Sequence, residues 1–279
     1  MILIDGRKIR DEILSEVKKE VSRLSFQPVF CDILVGDDPV SAQYVRMKNK
    51  KAESVGMRFH NAVFSEKITT GELIWEIKKI NKIQNVCGVI VQLPLPKSLD
   101  KRKILDAIDP ELDVDCLGKI ASEKFYSNLT AGNGFPTAMA CMAILDSLQL
   151  DLKNKKIAVL GQGELVGRPV TALLQFRGLT PTSIIQKTEN KEALIKNADI
   201  IISGIGQGEY LAGDMLKKGV VIIDAGTSES GAGIVGDVDL ESVKDIAGLV
   251  SPVPGGVGPV TVAMLLKNVL GVAKLKSRS

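Results

Sequence analysis

The chain has 279 residues, 45% of them hydrophobic and 25% charged, with a mean hydropathy of +0.15. That length exceeds one ordinary core and suits two domains of modest size. A net charge of +3 is too small to argue for nucleic acid or a membrane as partner, and no apolar run approaches the roughly 18–20 residues of a spanning helix.

Residues 9–24 place Ile9, Ile13, Leu14, Val17, Val21 and Leu24 on one helical face. VFCDILV at 29–35 reads as a buried strand, GDDP as a turn, and Ser41 as the N-cap of a helix running to about Val55. A helix is expected at 70–82 on Leu73, Ile74, Ile77 and Ile80, then a strand, GVIVQL at 88–93, stopped by LPLP. This alternation predicts an α/β fold with parallel pairing. The segment 106–118 reads as a loop and 137–149 as a helix. After the polar break DLKNKK a second alternating series begins: strand 156–160, helix from 167, strand 182–186, helix 190–197, strands 199–203 and 220–224. A final helix is expected at 259–273.

Several residue types are scarce or isolated. The only histidine is His60, so histidine-based triads and zinc sites have almost nothing to use and no metal is expected. Cys31, Cys87, Cys116 and Cys141 are widely spaced and read as buried free thiols. The opening MILIDGRKIRDEI lacks the pattern of a signal peptide, and cytoplasm is the expected compartment.

Five segments could carry chemistry. GQGELVG at 161–167 follows a strand and opens a helix, where glycine amides and a helix N-terminus suit a pyrophosphate. No acid stands at the end of the next strand to take a ribose hydroxyl; Lys187, with Arg168, could meet a 2′-phosphate instead, while Glu189 leaves NAD open beside NADP. Tyr44 and Lys48 are i and i+4 on one helix face, and a lysine desolvated there could act as acid or base. Gln92, in VQLPLP, stands at a strand's carboxyl end, where open α/β sheets bind ligands. Asp113 and Asp115 are turn formers or ring-recognising carboxylates. SPVPGGVGPVT at 251–261 is a rigid hinge or a backbone wall for a flat ligand.

Taken in order, VGDDPVSAQYVRMKNK, GVIVQLPLP, DPELDVD, the turn ending in VGRPV, IVGDVD and SPVPGGVGPVTVAMLLKNVL closely resemble the FolD family. These are the bifunctional methylenetetrahydrofolate dehydrogenase/methenyltetrahydrofolate cyclohydrolases. The resemblance implies a folate-handling domain of residues 1–118 plus 259–279, a Rossmann-like cofactor domain of residues 137–258, and folate in the cleft between them. It implies Lys48 as catalytic lysine, Tyr44 stacked on the folate, Gln92 bonded to Lys48, and Asp115 holding the pterin. Val91, Leu93, Pro254, Gly255 and Gly256 would line the folate. Gly161, Gln162, Gly163, Arg168, Gln186, Lys187 and Thr227 would meet the cofactor, with NADP preferred over NAD. The implied reaction gives a hydride from the methylene bridge to the nicotinamide, after which water opens the methenyl ring with help from Lys48. A homodimer is implied as well.

The chain departs from the family at places. Gln162 and Gly163 stand where an Arg and a Ser are usual, Ile185 and Gln186 replace a His-Ser pair, and Cys116 replaces a Gly. Of the usual PCTP-x-G, only Thr137 clearly fits. Two other readings use the same features: a shikimate-type two-domain dehydrogenase, and a folate-binding protein without cofactor use.

Overall fold

A computed structural model describes residues 1–128, 133–230 and 233–278. In chain order, the first part runs β1 (Ile2–Leu3), α1 (Gly6–Val21), β2 (Val29–Val35), α2 (Pro39–Ser54), β3 (Arg58–Phe64), α3 (Thr70–Ile80) and β4 (Val86–Val91). Two short helices, α4 (Lys101–Leu105) and α5 (Lys119–Tyr126), flank the expected loop at 106–118, and α6 (Pro136–Ser147) follows. The second part is β5 (Ile157–Leu160), α7 (Gly167–Phe176), β6 (Thr182–Ile184), α8 (Lys191–Lys196), β7 (Ile200–Ser203) and β8 (Val221–Asp224). A small antiparallel pair, β9 (Ser228–Ser230) and β10 (Gly233–Val235), precedes β11 (Leu249–Ser251) and α9 (Val257–Lys276).

The chain forms two compact units, Met1–Asp11 with Thr137–Thr261 and Glu12–Pro136 with Val262–Ser279. The second of these holds a three-stranded sheet of order β3-β2-β4, parallel throughout. Every residue of β2 and β4 is buried, which explains their nearly continuous apolar sequences. Phe30, Ile33, Leu73 and Ile77 are fully buried, each worth about 1.5–3 kcal/mol relative to exposure. Gly88 is required by close packing: a Cβ there would press on Val269 of α9 and on Val114. Buried Asn268 of α9 donates from Nδ2 to the carbonyls of Val114 and Gly134, at 2.9 and 2.7 Å. The helix is thus pinned to irregular backbone that lacks a ladder partner.

The other unit is a six-stranded parallel sheet of order β1-β11-β8-β7-β5-β6. Its core gathers Leu160, Ile195, Ile201, Leu211, Ile222, Val243 and Val250. The chain reverses direction across the sheet at β5, flanked by β6 and β7, and ligands of open α/β sheets bind at such a switch point. β1 pairs with β11, so Met1–Asp11 pack with this unit and not with the rest of segment 1–118.

Several local expectations are corrected. The cap of α2 is Asp38, not Ser41: Asp38 Oδ2 accepts from Ser41 N at 2.7 Å, and Pro39 takes the first helical position, where its fixed φ is suited. β6 stops at Ile184, because Ile185 to Thr188 turn, with Ile185 N donating to Thr188 Oγ1. By length and composition α9 could cross a membrane, yet 67% of its most apolar window is buried inside the protein. All four cysteines are free and buried, and burial pushes the Cys31 thiol up to about 12.

Candidate active site

The placement of Lys48 follows from helix periodicity. α2 turns Ser41, Val45, Lys48 and Ala52 inward, a stripe at spacings of three and four, so Lys48 occupies a core position. Its residue exposure is only 6%. Nζ donates to Gln92 Oε1 at 2.7 Å and lies 2.6 Å from Asp32 Oδ2. Gln92 immediately follows β4; its backbone N donates to Ile33 O at 2.8 Å, which continues the ladder, and Nε2 donates to Leu93 O at 3.0 Å. That last bond leaves Oε1 as the face offered to the lysine. Tyr44, one turn before Lys48, is exposed at 39% and free to meet a ligand.

Asp32 is the residue that pattern reading passed over. It sits in the middle of β2 with no solvent exposure, and its Oδ1 has no hydrogen-bond partner among the described residues. Burial raises the proton affinity of its carboxyl, while the charge and hydrogen bond of Lys48 lower it. The available signal was an acid inside an otherwise apolar buried strand, a residue type almost never fully buried unless paired.

Asp113 and Asp115 have different roles. Asp113 is buried and shapes the loop: Oδ2 accepts from Gly118 N at 2.7 Å and Oδ1 from Asp115 N at 3.2 Å. Asp115 is half-buried, and its carboxyl is pushed up to about 7. Desolvation is the main cause; Lys48 opposes it, and Asp113 and Asp32 add to it. The unfolded carboxyl has the ordinary value of 3.8, so the folded state binds the extra proton between about 4 and 7. Stability is therefore expected to fall as pH rises through that window, where the folded chain must ionise Asp115 against its surroundings. Asp224 shifts in the same direction, to about 6. Asp115→Asn removes the Asp115 contribution, so its Tm should exceed that of the parent at pH 8 and match it near pH 4. Thermal scans at the two pH values check this, and an equal Tm at pH 8 would contradict it.

Val91 is buried at the end of β4 and Leu93 is half-buried before a cis bond to Pro94. Pro254, Gly255 and Gly256 belong to the other unit, where Gly255 O accepts from Gly6 N at 3.1 Å. Gly255 has φ +111° with open space where a side chain would project.

In that unit the turn after β5 is built on glycine. Gly161 has φ +82° and lies against Gly204 O, Gly167 faces Gly161 O, and Gly163 is open. The Gln162 side chain folds back, donating to Gly161 O at 2.9 Å and Thr171 Oγ1 at 3.2 Å. This tight glycine turn into the N-terminus of α7 is the arrangement that suits a phosphate and fits a dinucleotide. Arg168, at the start of α7, is exposed. Gln186 and Lys187 are exposed in the turn after β6, and Thr227 is exposed just before β9. His60 lies half-buried on β3.

With this geometry in place, comparison with known proteins identifies the type. Residues 4–115 match the catalytic domain of tetrahydrofolate dehydrogenase/cyclohydrolase, and residues 136–277 match its NAD(P)-binding domain. The bifunctional protein FolD of Nautilia profundicola is 41% identical over 278 residues, covering 98% of each chain. Among solved structures, the bifunctional FolD methylenetetrahydrofolate dehydrogenase/cyclohydrolase of Campylobacter jejuni superposes with a TM-score of 0.94 at 36% identity, covering 99% of each chain. The Trypanosoma brucei FolD, solved with NADP cofactor and an inhibitor, gives 0.93 at 33% identity, covering 100% of this chain and 99% of that one. Full-length identity of this degree sets aside the shikimate-type reading. The chain belongs to the tetrahydrofolate dehydrogenase/cyclohydrolase family, as a bifunctional FolD-type enzyme of one-carbon folate metabolism.

Proposed function

We propose that the chain oxidises 5,10-methylenetetrahydrofolate with NADP and hydrolyses the methenyl product to 10-formyltetrahydrofolate, with Lys48 as the catalytic residue of the hydrolysis. The observation that carries the second half is a buried lysine whose Nζ is held by an amide oxygen at 2.7 Å and a carboxylate at 2.6 Å, one helical turn from an exposed tyrosine. In this reading residues 1–118 with 259–279 handle folate, and residues 137–258 hold the cofactor. Tyr44 stacks on the folate, and Val91, Leu93, Pro254, Gly255 and Gly256 line it.

When bound, NADP supplies the nicotinamide that accepts a hydride from the methylene bridge. The chain's own part is orientation and proton handling. Gly161 and Gly163 admit the pyrophosphate to backbone amides, with Gln162 tied back out of its way. Arg168 and Lys187 supply positive charge for a 2′-phosphate, and Gln186 and Thr227 offer polar contacts. The half-buried carboxyl of Asp115 holds the N–H edge of the pterin. Water attacks the methenyl carbon; Lys48 moves a proton at Nζ as the C–O bond forms and the ring C–N bond breaks, and Gln92 keeps Nζ aimed.

The preference for NADP is supported by the lack of an acid at the end of β6, by the basic pair, and by the NADP bound to the trypanosomal relative. A titration of NADP and NAD against methylene-tetrahydrofolate, read by the absorbance of the methenyl product, tests it. Half-saturation is expected at a lower concentration of NADP, and the reverse order would make NAD the cofactor. We further propose a cytoplasmic homodimer.

A further inference from the structure

The Lys48–Asp32 contact is costly as architecture. Asp32 stands at the centre of a seven-residue strand in which every residue is buried, opposite Asn61 of β3 and Ile90 of β4. Among the described residues its Oδ1 has no hydrogen-bond partner and Oδ2 has only the ammonium. A buried charge pair with an unsatisfied oxygen is commonly less stabilising than apolar residues of the same volume. The other six residues of this strand are Val29, Phe30, Cys31, Ile33, Leu34 and Val35, so an apolar side chain would suit the position. What distinguishes Asp32 is where its carboxylate points, at the Nζ that also meets Gln92.

We propose that Asp32 is a positioning residue for Lys48: its buried carboxylate fixes Nζ against Gln92 and provides the countercharge beside which the amine gives and takes its proton. This rests on the assignment of the hydrolysis to Lys48. Two contacts on different elements, β2 and the end of β4, hold Nζ in one place, whereas Gln92 alone would leave it free to swing about that bond.

Other ionisable groups face this pair. Asp115 and, through it, Asp113 come from the loop before α5. Cys31, adjacent to Asp32 on β2, points to the opposite face of the sheet, and its thiol feels the charges of Asp32 and of Arg58 on β3; Tyr44 lies one turn back from Lys48 on α2. Of these, only Asp32 touches Nζ.

The test is the pH profile of methenyl-tetrahydrofolate hydrolysis by the full chain and by Asp32→Asn. Loss of the neighbouring negative charge lets the site shed its proton more readily, so the acid limb of kcat is expected to move down by about 1–3 pH units. Affinity for a reduced folate should change little. A folded Asp32→Asn protein with a lower Tm and an acid limb superimposable on the parent's would overturn the proposal, since that is the signature of a purely structural residue.

Should Asp32→Asn fail to fold, carboxyl NMR of aspartate-labelled parent and Lys48→Met proteins gives an independent answer. With Lys48 gone, the Asp32 carboxyl should titrate at higher pH than in the parent, and an unmoved titration would overturn the coupling. Failure of the underlying assignment looks different: Lys48→Ala would then hydrolyse normally. An inactive Lys48→Ala protein beside an unshifted Asp32→Asn profile would remove only the role given to Asp32.

Discussion

Lys48→Ala is expected to lower methenyl-tetrahydrofolate hydrolysis by about 10²–10⁴-fold, the range supplied by a positioned proton-transfer group. The folate should still bind, because Tyr44 stays exposed and the loop that carries Asp115 is held by Asp113 rather than by Lys48. The truncation also strands Asp32 in the sheet without its ammonium. An unpaired buried carboxylate costs several kcal/mol, and the group escapes that cost by taking up a proton. Burial already pushes the Asp32 carboxyl in that direction. The variant should therefore fold at neutral pH, with a loss of stability that grows as pH rises and the carboxyl must ionise. Stopped-flow or steady-state decay of the methenyl absorbance, paired with an equilibrium folate titration, separates the loss of chemistry from a loss of binding.

Gly167→Ala should produce the complementary defect. Gly167 opens α7 and is buried against the Gly161 carbonyl, with the Gln162 Cα also within 3.0 Å of any added Cβ. The obstacle is backbone, so no side chain can rotate away; either the turn or the start of α7 must move. Gly161 cannot absorb the movement, since its φ of +82° and its approach to Gly204 O fix it from the other side. The amides proposed to meet the pyrophosphate would be displaced by a sizeable fraction of an ångström or more. Misplacement on that scale costs about 10²-fold in an oriented transfer. Cofactor-dependent oxidation should fall by about that factor, with a stability loss of about 1–3 kcal/mol from overpacking. Hydrolysis of methenyl-tetrahydrofolate supplied directly needs no cofactor and should persist.

The contrast between these variants mirrors what could be read from the residues themselves. Long periodic segments were plain: the apolar stripe of α1, the continuous runs of β2 and β4, and the β5–α7 unit with its glycine turn. The i, i+4 spacing and the strand-ending Gln-Leu-Pro made Lys48 and Gln92 candidates, and only the family resemblance gave them their roles. Other elements depend on distant partners. β1 has two residues and β11 three, too few for any periodicity, and they exist as strands because each pairs with a neighbour from far along the chain. β3 was missed for a different reason. It is a half-exposed edge strand, RFHNAVF, with polar His60 and Asn61 at its centre, so it presents no apolar face. α4 and α5 have five and eight residues, below the length at which a stripe can be recognised.

Asp32 illustrates a subtler blind spot. A strand reading averages over seven residues, and one acid among six apolar or small neighbours barely alters the average. Its meaning emerges only when α2, a separate element, delivers an ammonium to the same point. Cofactor positions were harder still. The turn at Gly161 was legible, but the fold-back of Gln162 onto Thr171 depends on a helix nine residues later. The end of β6 likewise shifted Gln186 from a strand into a turn, because the Thr188 hydroxyl captures the Ile185 amide.

The most direct test of the account is the decay rate of methenyl-tetrahydrofolate, measured without any cofactor, for the parent, Gly167→Ala and Lys48→Ala proteins. The parent and Gly167→Ala should hydrolyse it at similar rates, while Lys48→Ala should approach the uncatalysed rate. Normal decay with folded Lys48→Ala protein would contradict the placement of the chemistry at Lys48.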